Sequence, residues 1–243
     1  MKLFYSPFHT FIHKVLVTAH ECGHWDDIDF IATFPFKNLD GEDQGDAYSL
    51  VPLNPLNKVP TLATDTGQVI YGSQAVCEYF DANSKANRMF PDNGPARWDA
   101  LRRMASGDTI FETTVQMVAE QWQEPEQWNM RVFEWLWPKY IRTLDLFDRE
   151  AATWDSFDVG HASLLHAISY LGFRAEFYEA KDPLYPDFRW RDGRPALSDW
   201  FDKCVERPSV KSHYNLDFAG DTSAERFQAA VQEVLALQKE NGQ

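Results

Sequence analysis

The spacing of apolar and polar positions changes once along this chain, near residue 84. Before that point apolar runs are short and alternate with turns. Residues 3–5 read as a strand, 11–21 as a helix and 25–31 as a second strand. After a variable loop, apolar triplets at 61–63 and 69–71 make a strand pair, and a helix opens at Ser73 and runs to about Asn83. Strands and helices that alternate this way and close on a hairpin indicate a compact α/β unit. Residues 84–95, with Pro91, Gly94 and Pro95, form a turn-rich linker. Beyond it strand signals nearly vanish. Helical spacing predicts elements over residues 96 to about 124, 126–152 and 158–173, the last apolar along most of its length as a central bundle helix should be. Aromatics at Trp128, Phe133, Trp137, Tyr140 and Phe147 of the second of these read as core packing. Residues 183–195 form a loop rich in Tyr, Phe, Trp and Arg, and 225–241 a last amphipathic helix. The expected division is 1–84, a linker over 85–95, and an all-helical part over 96–243.

Charge narrows the partners. The 243 residues hold 37 acidic against 23 basic side chains, a net charge of -14. Such a surface argues against nucleic acid or an anionic membrane as the main partner. An anionic ligand would need a local positive site made from helix ends and a few Lys or Arg. Three cysteines without metal-like spacing point to reduced thiols, no metal and a cytoplasmic setting. No apolar stretch approaches the ~18 residues of a membrane span.

The residues around the strand pair carry the candidate chemistry. A polar turn, Asn54-Pro-Leu-Asn-Lys58, runs into Val59-Pro60. Proline cannot donate to a sheet ladder, so one at the head of a strand marks an edge, a turn or a cis bond. A cis Val59-Pro60 bond would turn the Val59 N–H and C=O away from the sheet, towards an extended peptide. Ser73 at a helix N-terminus adds a hydroxyl, free N–H groups and the positive end of the dipole, which suit a carboxylate. Together these describe a receptor for a small acidic peptide.

With these elements the chain resembles the glutathione S-transferase (GST) superfamily, in particular its bacterial cytosolic members. The resemblance extends to Lys2-Leu-Phe-Tyr-Ser-Pro7 with Phe11-Ile-His-Lys-Val15 at the start. Later come Asp158-Val-Gly-His161, like the family's buried core helix, and Trp200 to Val210 with its Arg-Pro-Ser-Val exit. It implies a thioredoxin-like α/β domain followed by an all-α helical bundle, a homodimer, and glutathione as co-substrate with no other cofactor. Glutathione would lie along Val59 and Pro60, with Asn54 and Lys58 near its glycyl end and Gly72, Ser73 and Gln74 near its γ-glutamyl end. A small hydrophobic electrophile would sit among Phe8, Phe11, Phe111 and Trp122.

Departures from the family pattern bear on the chemistry. Bacterial relatives read Tyr-Ser-Pro-x-Ser-Pro-Tyr-x-Arg-Lys-Val at the first turn; here His9 stands at the catalytic Ser and Thr10 at the following Pro. Thr10 from the helix N-cap, His9, and Ser6 or Tyr5 from the strand end are the candidates to stabilise a thiolate. No Cys precedes Cys22, which disfavours cysteine-based thiol transfer, and Cys22, Cys77 and Cys204 read as buried small hydrophobes. Relatives carry Glu or Asp where Gly72 stands. His161 replaces the helix-capping acid, a task Asp158 can take over. The alternative to a transferase is a GST-like protein that has lost glutathione chemistry and binds a protein partner, as relatives on bacterial cell-division filaments do. The Tyr185 to Trp190 loop would suit such a partner.

Overall fold

The change of spacing near residue 84 is a change of architecture. The computed structural model describes residues 1–6, 11–33, 36–37, 43–44, 50–120, 123–178 and 189–211. Strand β1 (Lys2–Tyr5), helix α1 (Ile12–Glu21) and strand β2 (Asp29–Ala32) come first, followed by a small ladder of β3 (Phe36–Lys37) with β4 (Asp43–Gln44). A hairpin of β5 (Thr61–Ala63) and β6 (Val69–Tyr71) leads into α2 (Ser73–Ala82). The main sheet runs β2-β1-β5-β6, with β1 parallel to β2 and antiparallel to β5. Leu3 and Leu62 pair across β1 and β5 and are fully buried, together with Ile12, Val15, Val76 and Phe80 of the two helices. This is the expected α/β unit of thioredoxin type. The rest of the described chain is helical: α3 (Gly94–Glu120), α4 (Met130–Ala151), α5 (Val159–Tyr178), α6 (Pro195–Val205) and the short α7 (Pro208–Lys211).

Several boundaries differ from the sequence reading, each for a local reason. Residues 25–27 form a 3₁₀ turn instead of strand, closed by Ile28 N–H donating to the Trp25 carbonyl at 3.3 Å. The β3–β4 ladder falls in the stretch read as a variable loop. Helix α4 begins at Met130, because residues 125–127 make a separate 3₁₀ turn and the Glu120 carboxylate accepts from Asn129 N–H. Pro195 is not loop; it occupies the first turn of α6, where its missing N–H costs nothing. The predicted helix over 225–241 lies outside the described residues.

Helix α5 is the axis of the helical part, and every residue from Val159 to Gly172 is buried. Two glycines let α3 come close to it. A Cβ at Gly160 would stand 2.2 Å from the Ala100 carbonyl oxygen, and one at Gly107 2.6 Å from Ser163 Oγ. The N-terminus of α5 is closed reciprocally: His161 N–H donates to Asp158 Oδ1 at 3.0 Å, and Asp158 N–H donates to His161 Nδ1 at 3.2 Å. Asp158 therefore does the capping expected of it, in a capping box whose returning acceptor is an imidazole. Burial alone would raise the Asp158 carboxyl, but His161 and Arg103, whose Nη2 lies 2.6 Å away, hold it below the usual range.

Buried polar groups join the sheet part to the bundle. Lys14 of α1, 2 % exposed, reaches the Asp108 carboxylate of α3, which also accepts from Ser163 Oγ of α5 at 2.7 Å. Beside them the His13 and His166 rings stack at 5.0 Å and 9°. Glu21, at the end of α1, accepts from Arg207, Ser209 and Asn87 and so ties α1 to α7 and the linker. His166 Nδ1 lies 2.6 Å from the Ala162 carbonyl, an acceptor, so that nitrogen carries the proton. Burial, opposed by that carbonyl and reinforced by the charge of Lys14, pushes His166 down to about 4.

Two outcomes follow for stability. Gly160→Ala should destabilise the fold by about 1–3 kcal/mol or more in urea unfolding, since the Ala100 backbone must move to admit a methyl group. An unfolded histidine titrates near 6.5, so between that pH and about 4 the unfolded chain holds a proton that the native state refuses. The contribution of His166 is thus fully present above pH 6.5 and falls by about 3 kcal/mol as the pH drops to 4. Unfolding measured across this range should show the loss, and His166→Gln, which keeps a donor for Ala162, should flatten it.

Candidate functional site

The strand registers bring three chain segments to one corner of the sheet. Thr61 pairs with Phe4 on one side and Tyr71 on the other. Continued two residues past these pairs, the registers point towards Ser6 at the end of β1, Val59 at the head of β5 and Ser73 at the start of α2. The Val59-Pro60 bond is cis. Among the described residues no hydrogen bond engages the Val59 N–H or C=O, although the residue is only 4 % exposed. Main-chain groups without partners at a strand head are what an extended peptide can pair with.

The turn before Val59 is held from inside. Asn54, buried, donates from Nδ2 to the Lys58 carbonyl at 2.9 Å and to Thr61 Oγ1 at 3.0 Å, while its Oδ1 accepts from Leu56 N–H. Asn57 takes a left-handed φ of 49° in the same turn. Asn54 therefore shapes the turn, and its side chain is engaged inward rather than towards the glycyl end of a ligand. Lys58 is exposed and forms no ion pair with a described residue, which leaves its charge available beside Val59.

The α2 N-terminus is open. Gly72 is its N-cap at φ 90°, no side chain caps the helix, and the first main-chain bond runs from Val76 N–H to the Gly72 carbonyl at 3.1 Å. The N–H groups of Ser73, Gln74 and Ala75 thus lack intrahelical acceptors. A Cβ on Gly72 would meet nothing within 4 Å, so a side chain at this position would stand in open space. Gln74 donates its amide to Glu78 one turn on, at 3.1 Å, and does not reach across the corner.

Of the first-turn candidates, His9 and Thr10 lie outside the described residues. The N-cap position of α1 is Phe11, one place beyond Thr10. Ser6 is fully buried and its hydroxyl has no hydrogen-bond partner among the described residues. Burial raises the Tyr5 phenol, which packs edge-on against Phe30 at 5.8 Å, so Tyr5 remains protonated at neutral pH and is no base. Of the aromatics expected around an electrophile, Phe8 and Trp122 lie outside the described residues. Phe11 stacks on Phe111 at 5.5 Å and Phe111 on Tyr170 at 4.9 Å, a ladder that packs α1, α3 and α5 together. Of the Tyr185 to Trp190 loop, Arg189 and Trp190 are described, and Trp190 is buried against Phe201 and over Gly172, as packing. Burial drives the three thiols far up, Cys22 and Cys204 to about 12 and Cys77 to about 11, so none supplies a thiolate. No cluster of His, Cys, Asp or Glu among the described residues is arranged to hold a metal, and no described helix is long and apolar enough to cross a membrane.

Sequence reasoning missed the buried Lys14–Asp108 pair behind this corner. Lys14 sits among apolar neighbours in a helix that also carries His13, and a cation at such a position was the available signal.

Residues 8–83 match the family model of the glutathione S-transferase N-terminal domain. An uncharacterized GST-like protein of Escherichia coli K12, YibF, is 28 % identical over 183 residues, which cover 72 % of this chain and 83 % of that protein. A glutathione transferase family member from Pseudomonas fluorescens Pf-5, solved with bound glutathione, is 29 % identical, with a TM-score of 0.72 over 87 % of this chain and 97 % of that one. A glutathione S-transferase from Methylobacillus flagellatus KT, solved with glutathione, shares the fold at 22 % identity and a TM-score of 0.70. Strand order, the serine at the start of α2 and these similarities agree: residues 8–83 match the glutathione S-transferase N-terminal domain, and most of the chain is similar to glutathione transferases.

Proposed function

We propose that this protein binds glutathione at the Ser6–Val59–Ser73 corner and conjugates its thiolate to a small hydrophobic electrophile, as a cytoplasmic homodimer. The observation that carries the reading is the pairing of an unpartnered Val59 main chain with an open α2 N-terminus, two recognition elements that a peptide with a terminal carboxylate would use together. The cysteinyl main chain of glutathione pairs with Val59. Its γ-glutamyl carboxylate accepts from the Ser73 hydroxyl and the first N–H groups of α2, and Lys58 faces the glycyl carboxylate. The thiol gives up its proton to solvent or to His9, and a hydroxyl or imidazole from Ser6, Thr10 or His9 holds the sulfur anion by a hydrogen bond. The thiolate then attacks an electrophilic carbon. A carbon–sulfur bond forms while the electron pair passes to a leaving group or an acceptor π-system, without redox change. Catalysis is thiolate stabilisation plus proximity.

One observation favours the second reading, a protein-binding relative without glutathione chemistry. The acid expected before Ser73 is absent at Gly72, so the ammonium of glutathione meets no carboxylate from that position.

Calorimetric titration with glutathione separates the two readings. Binding in the micromolar to low-millimolar range should weaken by about 1 kcal/mol, roughly fivefold, in Ser73→Ala; no binding at several millimolar would favour the non-catalytic reading. Ser6→Ala should leave unfolding stability unchanged within about 0.5 kcal/mol, because the hydroxyl it removes has no partner among the described residues. A fall in conjugation rate in this stable variant would assign Ser6 to the thiol.

A further inference from the structure

A cavity of about 360 Å³ opens where the linker and the start of α3 meet the loop that leads into α5. It shares no residue with the Ser6–Val59–Ser73 corner. Its size falls within the roughly 300–1,000 Å³ of small-molecule sites. Phe90, Trp154 and Phe157 give it aromatic walls. Arg103 and His161 also line it, and although they are only 7 % and 1 % exposed, each keeps a nitrogen without a hydrogen-bond partner among the described residues. The Arg103 guanidinium donates from Nη2 to Asp158 at 2.6 Å, while its Nε engages nothing there. His161 Nδ1 accepts from the Asp158 N–H, so the ring proton sits on Nε2, which is likewise unengaged. Trp154 joins the two, with the Arg103 guanidinium 5.6 Å over its ring and the His161 ring edge-on at 4.7 Å. Two buried donors without acceptors are costly to leave so, and they call for an acceptor.

Charge decides what kind of acceptor. Around the cavity Asp92, Asp99, Asp155 and Asp158 stand against Arg88 and Arg103. Both arginines are already neutralised, Arg103 by Asp158 at 2.6 Å and Arg88 by Asp81 at 2.7 Å. Asp155 pairs with no described cation. A free carboxylate or phosphate is therefore repelled, and a simple ammonium would leave the two buried donors unanswered. We propose that this cavity is a second ligand site, which takes a small uncharged aromatic compound whose carbonyl oxygen accepts from Arg103 and His161. A carboxamide suits it best, since its N–H donates to an aspartate of the lining while its ring packs against Trp154 and Phe157. This site goes beyond the glutathione reading and does not depend on it.

The test uses the whole protein and three probes of one shape and different charge: benzamide, benzoate and benzylamine. Each is titrated by calorimetry with and without glutathione. Benzamide should bind at about 0.1–1 mM, several-fold tighter than either charged probe, and glutathione should make no difference. Ala96→Trp, which fills the cavity from the first turn of α3, should abolish that binding. Arg103→Lys keeps a cation beside Asp158 but removes the idle Nε donor, and should weaken benzamide roughly fivefold. Asp155→Asn, on an exposed loop position where folding is not at stake, should narrow the gap between benzoate and benzamide. Unfolding midpoints check that all three variants are folded. No benzamide binding up to about 10 mM overturns the proposal and leaves the two donors to water. Unchanged binding in Ala96→Trp overturns it by placing the probe elsewhere, as does a preference for benzoate or benzylamine over benzamide.

Discussion

The close approach of α3 and α5 is the constraint on which the rest of the molecule depends. Gly160 against the Ala100 carbonyl and Gly107 against Ser163 allow two helix backbones to meet where side chains would hold them apart. Once they meet, α5 is buried from Val159 to Gly172 and its N-terminus must be satisfied from within, which Asp158, His161 and Arg103 accomplish. The same helix then presents His166 to His13 of α1, and Ser163 to the Asp108 carboxylate of α3 that holds Lys14 of α1. Position passes from the bundle to α1 and from α1 to the sheet corner, so the candidate site is held in place by contacts far from any ligand.

A buried ion pair at the seam is an unusual choice of adhesive. Lys14 and Asp108 both lose water there, and such a pair repays its desolvation only when the geometry is good and further hydrogen bonds are made. Ser163 supplies one of those bonds, and Asp108, its side chain 27 % exposed, retains some solvent. An apolar pair would hold the surfaces together as well but would leave their relative rotation free. A charged bond with two carboxylate oxygens on one ammonium fixes it.

What could be read from the sequence was what depends on local pattern. Short strands, helix starts and the Val59-Pro60 and Ser73 elements announce themselves because period, proline and N-terminal serine act within a few residues. Asp158 as a cap was legible for the same reason, three residues before His161. Asn54 was not: its polar side chain suggested a ligand contact, and only the folded turn shows its amide used on Lys58 and Thr61. The 3₁₀ turns at 25–27 and 125–127 were missed because they end in hydrogen bonds that periodicity does not encode. Phe11 and Phe111 were read as lining for a pocket, and a stack between residues 100 positions apart in sequence is invisible to any local rule.

The cysteines carry a consequence for the chemistry proposed. A protein that invites electrophiles to a thiol is exposed to alkylation of its own. Cys22, Cys77 and Cys204 are all buried, and burial keeps them as neutral thiols at neutral pH, with thiolate on the order of one part in ten thousand or less. In the proposed reaction the nucleophile is a diffusible one, brought in with each turnover and carried off with the product. On that proposal the scaffold would contribute no sulfur of its own, and its buried thiols would be spared the electrophile.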